Sequence, residues 1–276
     1  KSIGQFLLDN AITIVLLLLV AVFVYNDPSF LSLVNLTNIL SQASTNVIIA
    51  LGVAGLIVTQ GTDLSAGRMV GLSAVVAASL LQSPDNVSRM YQELPGILAN
   101  QYIIVALIVA CIITACLGFL NGFVIAKLKV TPFITTLGSM IIIYGLSSMY
   151  VDREPMGAQP IGGLATHYTE FAQGGFRIGS LMVPYLVIYA TAVTIFMWVL
   201  WNKTRFGKNL FAVGGNPEAA AVSGVNITKT LLIVYTLAGA LYGFAGTLEA
   251  ARVGSATNNT GNMYELDAIA ACVVGG

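Results

Sequence analysis

The chain has 276 residues, of which 57% are hydrophobic and only 9% charged. Soluble domains carry about 25% charged residues, so this composition excludes a soluble globular protein and describes an integral membrane one. Twelve Lys and Arg balance twelve Asp and Glu, which leaves no electrostatic footprint for nucleic acid.

A hydrocarbon core of ~30 Å takes about 20 apolar residues in a helix. The first candidate runs from Phe6 to Tyr25 and ends in an Asn-Asp-Pro turn, not in a cleavage site of small residues. It therefore reads as a membrane helix rather than a signal peptide. Asn35 to Asn38 lead into a second span at Ile39–Thr59. The segment Gln60-Gly61-Thr62-Asp63-Leu64-Ser65-Ala66-Gly67 then interrupts the apolar pattern. A third span follows at Arg68–Gln82, and its Gly, Ser and Ala content suits close helix packing.

Ser83 to Asn100 reads as a polar loop. The fourth span covers Gln101–Ala126 and ends at Lys127 and Lys129. Thr131-Pro132 opens the fifth, to Val151. Asp152 to Ser180 is polar and Gly-rich and reads as an exposed loop. The sixth span, Val183–Trp201, places Trp198 and Trp201 where an interfacial belt is expected. The seventh covers Leu231–Ala251, and Glu265 to Gly276 begins another. The fold expected is thus an all-α polytopic membrane protein with about seven complete spans, residues 1–276 forming one transmembrane domain. The chain opens at Lys1 and stops at Val-Val-Gly-Gly within an apolar run, so trimmed ends are expected.

With Lys1 inside, alternate loops place Lys127, Lys129, Lys203, Arg205, Lys208 and Lys229 in the cytoplasm. The other side receives Arg89, Arg153, Arg177 and Arg252. The excess of cations inside supports a cytoplasmic N-terminus.

The polar interval 202–230 therefore reads as a cytoplasmic loop. Its Gly214-Gly215 lets the backbone turn without a Cβ penalty. Asn216 is a good N-cap, Pro217 fits the first helical position, and Glu218 suits the positive end of the dipole. Ala219, Ala220, Ala221 and Val222 carry the turn, and Gly224 stops it. Such a short helix suits a docking knob for a soluble partner; a plain loop that sets topology fits the residues as well.

Few residues offer chemistry. Asp63 is an ionisable group at membrane depth and so a functional candidate; the alternatives are a cap for the third helix or a pair with Arg68. Around it, Gln60, Thr62 and Ser65 suit either sugar hydroxyls or a broken backbone. Asn46, Asn121, Thr135 and Thr136 lie within spans and suit either a polar path or interhelical hydrogen bonds. Glu249 and Arg252, three apart, read as a pair near a membrane surface. Cys111, Cys116 and Cys272 read as small buried hydrophobes. The single histidine, His167, and the absence of Walker A, H-E-x-x-H and G-x-S-x-G patterns leave no catalytic or metal signal.

The loop KTRFGKNLFAVGGNPEAAAVSGVN, with GLIVTQGTDLSAGRMVGLSAVVAA and KVTPFITTLGSM, resembles the monosaccharide ABC-importer permeases, the family of the ribose, arabinose and galactose transporters. DPSFLSLVNLTNIL and GSATNNTGNMYELDAIAACVVGG resemble its galactose and methyl-galactoside branch in particular. Where other members commonly show Gly-Gly-Ile-Asp-Leu-Ser, this chain has Gln-Gly-Thr-Asp-Leu-Ser.

The resemblance implies a permease of the bacterial inner membrane that builds the pathway as a pair of copies. It implies a cytoplasmic ATPase with two fused nucleotide-binding halves, which holds the ATP and Mg, no cofactor in this chain, and a periplasmic galactose-binding protein. Arg205, Phe206, Gly207 and the Gly214–Gly224 segment would then carry the coupling to the ATPase. It further implies an inverted repeat and about two further spans beyond Gly276. The competing expectation is an ion-coupled secondary sugar transporter, in which Asp63 or Glu249 couples a proton to uptake.

Overall fold

The computed structural model describes residues 5, 10–93, 102–154, 157–179 and 181–275. The expected start of the first span at Phe6, the stretch 94–101 and Gly276 lie outside the described residues.

α1 (Ala11–Asn26) is apolar on every side and buries none of its residues, as befits a helix solvated by lipid. Its end is fixed by the Phe23–Phe30 ring stack, 5.7 Å between centroids, and by a 3-10 turn at Pro28–Leu31 capped by Asp27. α2 (Leu33–Val58) starts six residues earlier than the sequence pattern suggests, because the Ser32 hydroxyl caps it by accepting the Asn35 N–H. Asn35 and Asn38 therefore lie within the helix rather than before it.

After a broken stretch, α3 (Ala66–Leu80) buries every residue except Arg68. Its Gly, Ala and Ser side chains let neighbouring backbones close on it. α4 (Ile103–Leu128) runs antiparallel to α10 (Ile227–Val253), which also lies along α3 and α2. Gly118 and Gly239 face each other across the α4–α10 contact. α5 (Pro132–Val151) begins with Thr131 as N-cap and Pro132 in the first turn. The core thus has α3 at its centre, packed against α4, α5, α10 and the start of α11 (Tyr264–Gly275), with α2 on the far side of α10.

The stretch from 152 to 180 departs from the exposed loop expected. α6 (Thr166–Gln173) buries Tyr168 and Ala172, one turn apart, and the Tyr168 hydroxyl donates to the Thr247 carbonyl at 2.6 Å. An antiparallel hairpin follows, β1 (Gly175–Ile178) with β2 (Leu181–Pro184), pairing Phe176 with Val183. α7 (Tyr185–Lys203) then crosses the bundle. Trp198 is exposed with the Lys203 ammonium 5.1 Å from its ring centre. Trp201 is instead half-buried and packs beside Gly55, so only one of the two tryptophans suits an interfacial belt.

The interval 202–230 is two short helices rather than a loop: α8 (Arg205–Gly215) and α9 (Pro217–Val222). α10 begins at Ile227, with Asn226 accepting the Lys229 N–H, four residues before the expected boundary. α11 (Tyr264–Gly275) closes the described chain and lies along α2. Among the described residues, five helices are long and apolar enough to cross a membrane: α2, α4, α5, α7 and α10. Within the described residues α1 and α3 are shorter apolar helices, so five of the seven expected spans reach that length there.

The ends of α2, α4 and α7 and the starts of α5 and α10 share one face with α8 and α9. Lys127, Lys129, Lys203, Arg205, Lys208 and Lys229 gather there, so we call it the basic face. The hairpin, α6 and the end of α3 define the opposite, hairpin face. Cys111 and Cys272 are half-buried as free thiols, whereas Cys116 is exposed on α4 and does not serve as a core hydrophobe.

Candidate coupling surface and buried polar cluster

On the basic face, the chain leaves α7 at Thr204, whose hydroxyl accepts the Gly207 N–H at 3.3 Å and starts α8. α8 is amphipathic: Gly207, Leu210 and Val213 turn inward at helical spacing, while Arg205 and Lys208 stay in solvent. Phe206 is half-buried against the core. Gly214 and Gly215 do not form the turn that their pairing suggests; both belong to α8. Gly214 is needed for approach rather than for flexibility, because a Cβ there would sit 1.9 Å from the Val58 carbonyl oxygen at the end of α2. Gly215 faces open space.

α9 follows at once. Asn216 caps it, its side-chain oxygen accepting the Ala219 N–H at 3.0 Å, with Pro217 and Glu218 in the first turn. Ala220 is the residue that turns inward, and Val222 is 91% exposed. Gly224, at φ +83°, ends the segment in the left-handed region. The result is a small, solvent-facing knob on a rigid stalk.

The stalk is joined to the interior. Gln60, itself at φ +60°, donates from its amide nitrogen to the Gly214 carbonyl at 2.8 Å. Gln60 opens the broken stretch between α2 and α3, so the four-residue segment 60–63 joins the end of the stalk to the buried Asp63.

Asp63 is 1% exposed. One of its oxygens accepts both the backbone N–H and the hydroxyl of Ser65, at 2.9 and 2.5 Å. That is an Asx turn leading the chain into α3, whose N-cap, Ser65, makes no side-chain cap bond. The Ser65 hydroxyl in turn accepts from the Asn121 amide of α4 at 3.0 Å, and Ser139 of α5 donates to the Asn121 oxygen. Thr136 accepts the Leu64 N–H at 3.2 Å and donates toward the Thr62 and Pro132 carbonyls. Tyr235 and Tyr242 of α10 approach from the remaining side, and the buried Tyr235 hydroxyl has no hydrogen-bond partner among the described residues.

Asp63, Ser65, Asn121 and Thr136 are thus brought together, whereas the other candidates scatter. Thr62 contributes its carbonyl and leaves its side chain exposed. Gln60 faces the basic face. The Thr135 hydroxyl is buried without a partner among the described residues. Asn46 lies twelve residues up α2 from Val58, ~18 Å at 1.5 Å per residue. Arg68 does not pair with Asp63; it turns away to the Asn262 side chain. Glu249, only 2% exposed, is held bidentate by Arg252 at 2.7 and 2.9 Å and accepts the Tyr264 hydroxyl at 2.8 Å. A carboxylate matched by a guanidinium in this way is poorly suited to shuttling protons.

Ser139, Tyr235 and Tyr242 escaped the sequence reading, since each reaches the cluster from a helix far along the chain.

A family model described as "Branched-chain amino acid transport system / permease component" matches residues 35–276. The galactose/methyl galactoside import permease protein MglC of Escherichia coli is 58% identical over 276 residues, 100% of this chain and 80% of that protein. The protein of the same description from Haemophilus influenzae is 56% identical over 97% of this chain and 78% of its own length. The ribose import permease protein RbsC of Escherichia coli is 37% identical over 98% of this chain and 78% of its own. No solved structure matches.

Proposed function

The chain belongs to the branched-chain amino acid transport system / permease component family, and on that footing we propose that it is the membrane subunit of an ATP-driven importer of galactose and methyl galactoside. The carrying observation is the 58% identity to a galactose permease over the whole chain. The family description alone names a different cargo, but the relatives above are sugar permeases, and the ribose permease among them stands at 37%.

In this reading the basic face is cytoplasmic, which also puts the start of α1 inside the cell. Two copies enclose the pathway. α9 docks on a cytoplasmic ATPase with two fused nucleotide-binding halves, and ATP and Mg are bound there rather than by this chain. A periplasmic galactose-binding protein delivers sugar to the hairpin face. The exposed knob, the close approach of Gly214 to Val58, and the Gln60–Gly214 hydrogen bond supply a continuous mechanical path. Displacing α9 moves α8 as a body, and α8 pulls on the end of α2 and on the stretch leading to Asp63.

The test places the permease, with its ATPase and binding protein, in liposomes. ATP hydrolysis stimulated by galactose-loaded binding protein, accompanied by sugar uptake, is the expected result. Uptake by the permease alone, driven by a proton gradient, would replace this reading with an ion-coupled carrier.

A further inference from the structure

Between α10 and α11 the chain does not return to the aqueous surface by the shortest route. The Ile161–Ala256 bridge holds Ala256 at the hairpin face, and the next residues then descend along α3. There the Thr260 and Gly261 carbonyls press against Gly71 and Gly67, at positions where a Cβ would lie 2.2 and 2.3 Å away. Gly67 is thirteen residues from the end of α3, ~20 Å below the hairpin face at 1.5 Å per residue. A polar backbone is thus carried deep into the bundle, which membrane proteins tolerate where it lines a cavity or is buried in protein.

The side chains of this segment are unusual for that depth. Asn259 and Asn262 are exposed, and the Asn259 side chain makes no hydrogen bond within the described residues. Arg68 donates to the Asn262 side-chain oxygen at 2.6 Å and lies over the Tyr144 ring, 4.5 Å from its centre. Tyr144 is itself 41% exposed. Asn258 donates to the Ser148 hydroxyl of α5 at 3.2 Å, and Thr257 stands beside it. Arg68, the one residue of α3 that is not buried, lies at the base of this recess, between Tyr144 and Ser148 of α5 and the segment that leads into α11. Exposed amides at such depth do not face lipid, where an unsatisfied polar group costs several kcal/mol; they face water or a polar ligand.

We propose that the recess formed by Arg68, Tyr144, Thr257, Asn258, Asn259 and Asn262 is the point at which the permease holds a monosaccharide in transit. The chemistry selects a neutral polyol. Each amide offers both a donor and an acceptor to neighbouring hydroxyls, and the Tyr144 ring offers an apolar face to sugar C–H groups. The Arg68 guanidinium is already engaged by the Asn262 side-chain oxygen, the Asn258 carbonyl and the Tyr144 ring, so it is not presented to an anion. This inference rests on the importer reading and adds a site to it.

The experiment uses the reconstituted complex of permease, ATPase and binding protein. Asn259→Cys is treated with a charged, membrane-impermeant methanethiosulfonate, and the unsubstituted permease is treated in parallel to correct for Cys111, Cys116 and Cys272. The expected result is modification of residue 259 in the assembled complex, slower labelling during turnover with galactose, and at least a tenfold loss of uptake with ATP hydrolysis retained. Asn259→Ala, which tests the amide without a reagent, lowers uptake several-fold. Absence of labelling, with a disulfide forming between copies, would assign the recess to the contact between permeases and overturn the proposal. Labelling that leaves uptake unchanged overturns it too. The importer reading itself fails only if the unsubstituted complex shows no ATP-dependent uptake.

Discussion

Substituting Gly214 by Ala tests whether motion of α9 reaches the bundle through α8. The added Cβ would lie 1.9 Å from the Val58 carbonyl oxygen, where ordinary contact begins at 3.4 Å. α8 must therefore retreat from α2 by about 1.5 Å, or both helices must distort, at a cost of about 1–3 kcal/mol typical of overpacking. The retreat also carries the Gly214 carbonyl beyond reach of Gln60, losing a contact of about 1 kcal/mol. Membrane insertion and assembly should survive, because α9 keeps its Asn216 cap. Sugar transported per ATP hydrolysed should fall about tenfold, equivalent to about 1.4 kcal/mol of coupling. Gly215→Ala is the matched control: its Cβ meets nothing, and alanine favours the helix by about 1 kcal/mol. It should keep native coupling and melt slightly higher. Both variants are read by parallel uptake and ATPase measurements in proteoliposomes. Native coupling in Gly214→Ala, or equal impairment in both, would refute the path through α8.

Asp63 accepts through one oxygen, and the side-chain amide introduced by Asp63→Asn would retain that acceptor. This substitution is therefore expected to keep both expression and uptake within about twofold, while Asp63→Ala strands two buried donors at about 1–3 kcal/mol each and lowers the melting temperature in detergent. A transport loss in Asp63→Asn at unchanged stability would show that the charge itself acts. Arg252→Ala leaves the buried Glu249 carboxylate unmatched, a loss of about 3 kcal/mol. Adding Glu249→Gln to that variant should recover most of the thermal stability, and failure to do so would mean that the pair is not what Arg252 supports.

Legibility in the sequence followed the range of the interactions. The spans and the α9 helix could be read because their signals are local: apolar runs, the Thr131-Pro132 start, and Asn-Pro-Glu followed by alanines and a glycine. α8 was hidden although Gly207, Leu210 and Val213 carry a helical spacing, because three cations and a Gly-Gly pair suggest a loop. α6 was missed for a similar reason. Tyr168 and Ala172 sit four apart, but polar neighbours dilute them, and only the tertiary fold shows that they are buried. The Asp63 cluster was half visible. Ser65 lies two residues away, whereas Asn121 and Ser139 reach it from helices some sixty to seventy-five residues further on. Proximity offers Asp63 as one partner for Arg68, but the fold delivers Asn262. The Asn-rich segment after α10 gave no periodic pattern at all, and its meaning depends on the glycines of α3 that admit it.

The burial of α3 bears on how the protein is made. Fifteen residues span ~22 Å, less than the hydrocarbon core of ~30 Å, and the helix is covered on all sides by other parts of the chain. One of its main partners, α10, lies more than 140 residues downstream. At synthesis rates of about 5–20 residues per second, α3 leaves the ribosome roughly 10–30 seconds before that partner is complete. During this interval its serines and its glycine-lined grooves must be sheltered by α4 and α5 or by the insertion machinery. Maturation thus depends on the order of arrival, and lesions in α10 should appear first as degradation of newly made chains.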